Sequence, residues 1–392
     1  MLELPIYLDN AATTPVAPEV IQAMLPFYTQ AYGNPATLYS VGMMAREAVI
    51  MARETIADFI HADPEEIVFT SGGTEADNTA IWGVAMANRD RKRHLITCAI
   101  EHHAVLEPME SLANLQGFEL DILPVDSNGR VSPEKIERTL RPDTVLVSIM
   151  HANNEIGTIQ PIAEIGAICR ERGVLFHTDA VQTFGKIPID VRSMNIDMLS
   201  VSAHKLHGPK GVGFLYVRRG TQMARFMEGG EQEKGRRAGT LNVPGIVGLG
   251  KATELASEKM GTERIRLTHL RERFWKQIQE RISGVHLNGD PLHRLPNNLN
   301  ICIEGVAGES VLLALDAVGI CAAAGSACST GSVEVSHVLR ALGISRDLAR
   351  GALRLTLGRD TTIEVLDYVV DTLANTVAEL RQLASTAVPA GR

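Results

Sequence analysis

Two stretches decide the fold: VLFHTDAVQ at residues 174–182 and DMLSVSAHKLHGPKG at residues 197–211. Each is a short apolar run that breaks off into polar, chemically capable residues. Asp179 and Gln182 follow the first run, and His204 and Lys205 follow the second. Continuous apolar runs of this length read as strands buried on both faces, the usual state of a parallel sheet. Outward from them, IVFT (67–70), HLITCAI (94–100), ELDILPV (119–125), TVLVSIM (144–150) and GVGFLYV (211–217) have the same character. Helical spacing fills most of the intervals, as from Glu75 to Asn88 and from Ala163 to Glu171, the latter running to Gly173 in a C-cap position. Strand–helix alternation predicts an α/β fold: a mostly parallel sheet covered by helices.

Near residue 258 the pattern changes. A charged amphipathic helix is predicted from about Thr262 to Ile282, followed by a strand (NLNICIE), a helix (GESVLLALDAV), a strand (GALRLTL) and a last helix from about Thr362. The expectation is a large domain over residues 16–258 and a smaller α+β domain built from 1–15 and 259–392.

The 392 residues carry a formal net charge of −8, which argues against a direct nucleic-acid partner. No apolar run approaches the ~20 residues of a membrane helix, and the opening MLELPIYLDNAATTP lacks a basic region followed by an apolar one. Five cysteines without a C-x-x-C pair speak against a disulfide framework and a structural zinc site. A reducing cytoplasm is the expected location.

Carboxyl ends of parallel strands are where open α/β sheets bind ligands. Asp179 at such an end could keep a pyridine nitrogen protonated, or simply cap a turn. Lys205 could form a Schiff base there, whereas Lys210 sits between Pro209 and Gly211 in an exposed turn. Ser71-Gly72-Gly73-Thr74 between a strand and a helix suits an anion, or an ordinary N-capped turn. His102 or His103 could stack on a ring and shuttle protons. Arg354, in mid-strand, needs either an internal acid or a substrate carboxylate. Cys328 stands among Gly325, Ser326, Ala327, Ser329, Thr330 and Gly331, which suggests a reachable thiol; the other cysteines lie in apolar patterns. GIVGLGKA (245–252) lacks the Ser/Thr of a P-loop and reads as helix packing. His204 and His207 have no third partner spaced to complete a metal site.

Together these residues resemble the cysteine desulfurases of the NifS/IscS type, in the class-V aminotransferase family of fold-type I pyridoxal-phosphate (PLP) enzymes. The similarity runs from YLDNAATTP to the last helix through SGGTEADN, EHHAVL, HANNEIGTIQP, HTDAVQTFGK, SAHKLHGPKG, RRAGT and GSACSTGSVEVSHVLRALG. It implies Lys205 as the Schiff-base lysine and Asp179 as partner of the pyridinium nitrogen. Gln182 and Asn153 would neighbour the phenolic oxygen, and His102 would stack on the ring. Gly73, Thr74, Ser202 and His204 would hold the phosphate, with Thr240 reaching it from the other subunit of a homodimer. Arg354, Asn34 and Asn153 would meet the substrate, and Cys328 would be the nucleophile that carries a persulfide. The implied reaction takes sulfur from L-cysteine, leaves L-alanine, and supplies an iron–sulfur scaffold or another acceptor protein. Cys328 is also the one candidate for a transient iron–sulfur ligand. Ala323-Ala324 and Val335 depart from the commoner serines and proline of the pattern. Alternatives on the same fold are a selenocysteine lyase or an aminotransferase; a distant one is a non-catalytic assembly protein.

Overall fold

The computed structural model describes residues 4–324 and 335–387. Its centre is a seven-stranded sheet in the order Ile67–Thr70, Gly213–Val217, Met198–Ser202, Leu175–Asp179, Thr144–Ser148, His94–Cys98, Glu119–Leu123. Gly213–Val217 runs against its neighbours and all other strands point the same way. All seven apolar runs are therefore strands.

Both faces of this sheet are covered. Ile67, Phe69, Phe214 and Tyr216 pack on one side against helices Ser40–Phe59, Ile162–Arg172 and the start of Val243–Arg281. Val68, Leu95, Leu215 and Val217 pack on the other against Gly73–Asn88 and His103–Gln116. Alternate side chains thus enter different cores, so the strands show continuous apolar runs rather than an alternation. Gly173 ends its helix at φ 64°, in the left-handed region expected of a C-cap.

The helix expected to begin near Thr262 instead spans Val243–Arg281, 39 residues across position 258. Asn242 caps it by accepting from the Gly245 amide at 3.1 Å, and Pro244 occupies its first turn. GIVGLGKA is its first part, where an added Cβ at Gly250 would lie 2.7 Å from Ala52 Cβ. Its later residues Leu270, Phe274 and Ile278 join a separate core with the antiparallel sheet Val285–Leu287, Asn298–Ile303, Ala352–Thr356 and the helices Gly308–Asp316 and Ile363–Ala387. Ile6 and Leu8 belong to that core too, and Ile6–Tyr7 pairs in parallel with Ile320–Cys321.

Candidate active site

Because the strands run parallel, the loops after Thr70, Cys98, Ser148, Asp179 and Ser202 emerge at one edge. A cleft of about 970 Å³ opens there. The tight turn Ala203–Lys205 carries Lys205 into it. Lys205 Nζ donates to the carbonyls of Ala11 and Ala12, both at 2.6 Å. The segment Asp9–Thr14 therefore straps the lysine turn, helped by Thr14 Oγ1 donating to the His204 carbonyl at 2.9 Å.

Asp179 closes its strand and is buried at the base of the cleft. Burial pushes its carboxyl up, while the Val181 amide, donating at 2.8 Å, and the nearby His102 and Lys205 pull it back. His102 caps helix His103–Gln116: its Nδ1 accepts from the Ala104 amide at 3.1 Å. In the neutral ring the proton is thus on Nε2. Burial pushes this imidazole down, and the Asp179 charge opposes the shift.

Helix Gly73–Asn88 starts with Gly72 as N-cap and no side-chain cap. Its first amides have no acceptor inside the helix and face the positive end of the dipole. A Cβ at Gly73 would stand 2.6 Å from Val181 Cγ2, so only glycine lets the turn approach this closely. Thr74, Ser202 and His204 border the same cleft. Burial chiefly, then the surrounding lysines, pushes His204 down to about 4, so it is neutral, with Nδ1 3.0 Å from Thr13 Oγ1. Gln182 Nε2 donates to the Ala11 carbonyl at 2.9 Å.

On the facing side, Arg354 lies in strand Ala352–Thr356, buried. Its Nη2 donates to Asp9 Oδ1 at 2.8 Å and its Nη1 to the Asn154 carbonyl at 3.2 Å. Among the described residues its buried Nε has no hydrogen-bond partner. Arg354 therefore has the internal acid and still borders the cleft.

Three expected members stand elsewhere. Asn153 is wholly buried: its Oδ1 accepts from the amides of Glu155 and Ile156, both at 2.9 Å, and its Nδ2 donates to the Ile100 carbonyl at 2.8 Å. That local turn spends both ends of its amide and directs the next residue, Asn154, to the cleft. Asn34 is exposed and accepts from the Ala36 amide at 2.9 Å, and it does not border the cleft of its own chain. Thr240 is likewise exposed and outside this cleft. Cys328 lies outside the described residues. Beside that segment, Ala323 exchanges backbone hydrogen bonds with Arg354, and Ser336 Oγ donates to Glu155 at 2.6 Å, so both described flanks are tied to cleft residues.

Sequence reasoning missed Asp77, Glu101 and His337. Asp77 sits one turn into the helix of SGGTEADN, buried, with Oδ1 3.6 Å from His177 Nε2 and, among the described residues, without a hydrogen-bond partner. Burial and the charge of Asp179 push its carboxyl well up. Glu101 precedes His102, accepts from the Met150 amide at 2.7 Å and Cys98 Sγ at 3.1 Å, and is pushed up to about 8 by burial. Their signal was position: each adjoins a strand-end motif. His337 packs its ring 5.0 Å from that of His103 and lines the cleft mouth. Among the described residues no group of His, Cys, Asp and Glu is placed to hold a metal ion.

A fold-type I sheet with a lysine, a buried acid and an open helix start at one edge defines the class. The chain belongs to the aminotransferase class-V family, whose model matches residues 6–369. The family is one of PLP enzymes. Over 379 residues the chain is 52% identical to the protein named cysteine desulfurase IscS of Methanosarcina thermophila, covering 97% of this chain and 93% of that one. Among solved structures it is similar to a NifS-like protein, with TM-score 0.90 and 39% identity over 96% of this chain and all of the other. It is also similar to SspA in complex with cysteine, with TM-score 0.80 and 39% identity over 90% of this chain and 98% of the other.

Proposed function

We propose that this chain is a PLP-dependent cysteine desulfurase that removes the sulfur of L-cysteine, leaving L-alanine and a persulfide on Cys328. The observation that carries this is the meeting of Lys205, Asp179 and the uncapped helix start at Gly73 in one cleft. These donors fit the cofactor. The open amides with Thr74, Ser202 and His204 suit a phosphate, Asp179 suits a protonated ring nitrogen, and Lys205 suits the aldehyde carbon. When bound, PLP supplies an electron sink for the bonds at the substrate's α-carbon.

The protein's own groups do the rest. Asp179, whose carboxyl burial pushes up and the Val181 amide, His102 and Lys205 pull back, would face the ring nitrogen and hold a proton there. Lys205 takes and returns a proton at the substrate's α-carbon. His102, neutral, offers a flat ring and one exchangeable proton. Arg354, which lines the cleft beside Asn154, would meet the substrate carboxylate with its guanidinium. The Cys328 thiolate attacks the substrate sulfur; a sulfur–sulfur bond forms, the Cβ–S bond breaks, and its electron pair stays with carbon, which is protonated to give alanine. The tethered flanks at Ala323 and Ser336 support a Cys328 that works at this cleft.

The same reading includes a homodimer. Tyr28, Tyr32, Leu38, Tyr39, Met43 and Met51 are each more than half exposed on neighbouring segments, an apolar surface that a second copy would cover. Asn34 belongs to this region, and exposed Thr240 suits a residue given to the partner's cleft. Among the described residues no helix is long and apolar enough to cross a membrane, and a cytoplasmic enzyme passing sulfur to an iron–sulfur scaffold or similar acceptor is the expected setting.

Brief exposure to cysteine followed by peptide mass spectrometry tests this: one added sulfur is expected on Cys328. Cys328→Ala should keep the visible absorbance of the bound cofactor and release no sulfide. Parental desulfuration by that variant would remove Cys328 from the mechanism.

A further inference from the structure

Arg354 has a neighbour that the steps above leave idle. Asp9 Oδ1 accepts from Arg354 Nη2 at 2.8 Å, and the two side chains are 18% and 3% exposed. Arg354 borders the main cleft and Asp9 does not, so this carboxylate approaches the guanidinium from beyond the cleft lining. Main-chain pairing holds both residues before their side chains meet. Asp9 bridges to Thr356, two residues beyond Arg354 on the same strand, and the Thr356 amide donates to the Leu8 carbonyl at 2.7 Å. The Asp9 carbonyl accepts from the Ala12 amide and from Tyr7 Oη, both at 3.0 Å. Arg354 in turn exchanges backbone hydrogen bonds with Ala323.

A guanidinium is planar, so anchoring both terminal nitrogens fixes its plane. Here Nη2 is anchored by Asp9 and Nη1 by the Asn154 carbonyl at 3.2 Å, while the buried Nε has no hydrogen-bond partner among the described residues. The group therefore has donors to spare, and a carboxylate entering the cleft would meet it already oriented. The Asp9 charge also offsets the cost of burying a cation in the empty site.

We propose that Asp9 is a positioning residue that fixes the plane of the Arg354 guanidinium for the substrate carboxylate. This rests on the reading of Arg354 as the partner of that carboxylate. The same strap carries Ala11 and Ala12, whose carbonyls accept from Lys205 Nζ, yet those are main-chain bonds in which the Asp9 side chain has no share. The two tasks of the strap are thus separable. Removing the Asp9 carboxylate loosens substrate binding and leaves the grip on the lysine in place.

The test is calorimetric titration of the cofactor-loaded enzyme with β-mercaptopropionate, which keeps a carboxylate and a thiol and lacks the amine. KM and kcat for L-cysteine are measured beside it. Asp9→Ala should raise Kd and KM about tenfold, with kcat changing less. Asp9→Asn keeps an acceptor and removes a negative charge near the incoming carboxylate, so its Kd should be parental or lower. In an Arg354→Met background, adding Asp9→Ala should change Kd by less than about twofold, because the effect travels through the guanidinium. Parental Kd and KM in Asp9→Ala overturn the proposal. So does an Asn variant as weak as the Ala one, or a full tenfold loss on top of Arg354→Met. Arg354→Met with the parental Kd instead overturns the reading of Arg354, and the role of Asp9 with it. Should Asp9→Ala fail to fold, Asp9→Ser, too short for the contact, decides in its place.

Discussion

The two walls of the cleft are built differently. The sheet wall collects Gly73, His102, Asp179, Ser202 and Lys205 from successive strand ends, His102 and Asp179 being held by bonds within two residues. The facing wall offers Arg354 from the smaller antiparallel sheet and His337 from the far flank of the Cys328 segment. What joins them is the strap Asp9–Thr14: Asp9 binds Arg354, Asn10 Nδ2 donates to the Thr356 carbonyl at 2.8 Å, and Ala11 and Ala12 hold Lys205. Groups that must keep a fixed charge and direction stand on the rigid wall. Groups that meet the substrate stand on the other. That division suits a site in which the chemistry is pre-organised and the substrate is bound across a junction.

The largest effect expected from breaking this arrangement is at Lys205. Lys205→Ala should lower kcat by about 10³-fold or more even with PLP supplied, measured as alanine formed from cysteine. A modest loss would mean that the sheet wall carries the chemistry without its amine.

Arg354→Lys probes the facing wall. A lysine cannot reproduce the planar fork, so KM for cysteine should rise about tenfold while kcat changes less. If KM stayed at the parental value, Arg354 would serve only as the partner of Asp9, and the proposed split between the walls would fail.

The smallest effect concerns Glu101, beneath the sheet wall. Its folded carboxyl titrates at about 8, against ~4.3 for an unfolded glutamate. The native state thus keeps a proton that the unfolded chain releases. The resulting stabilisation is complete below pH ~4.3 and is lost as pH rises to about 8. Glu101→Gln removes this dependence and should gain at least ~1 kcal/mol relative to the parent between pH ~5 and pH ~8. Parallel melting curves at the two pH values for parent and variant would count against a protonated Glu101.

Local pattern made much of this legible. The seven apolar runs became strands because a sheet buried on both faces leaves an unbroken apolar signature. Asp179 and Lys205 stood out because reactive residues followed such runs. The start of the long helix was written in Asn242-Val243-Pro244, an N-cap with proline in the first turn; GIVGLGKA read as helix packing, but not as one helix with the charged stretch after Thr262. Asn153 and Asn154 show the limit: identical neighbours, of which the turn geometry buries one and turns the other to the cleft.

By itself the sequence determined the strand order along the chain, the sheet edge at which chemistry would gather, and the kinds of residue gathered there. Those are consequences of nearest-neighbour periodicity and side-chain type. Only the tertiary structure decided that Asp9 faces Arg354, 345 positions away, and that Ala11 holds Lys205, 194 positions away. Such pairings depend on how separate elements close on one another, and no local pattern encodes the distance between two side chains brought together by a shared core.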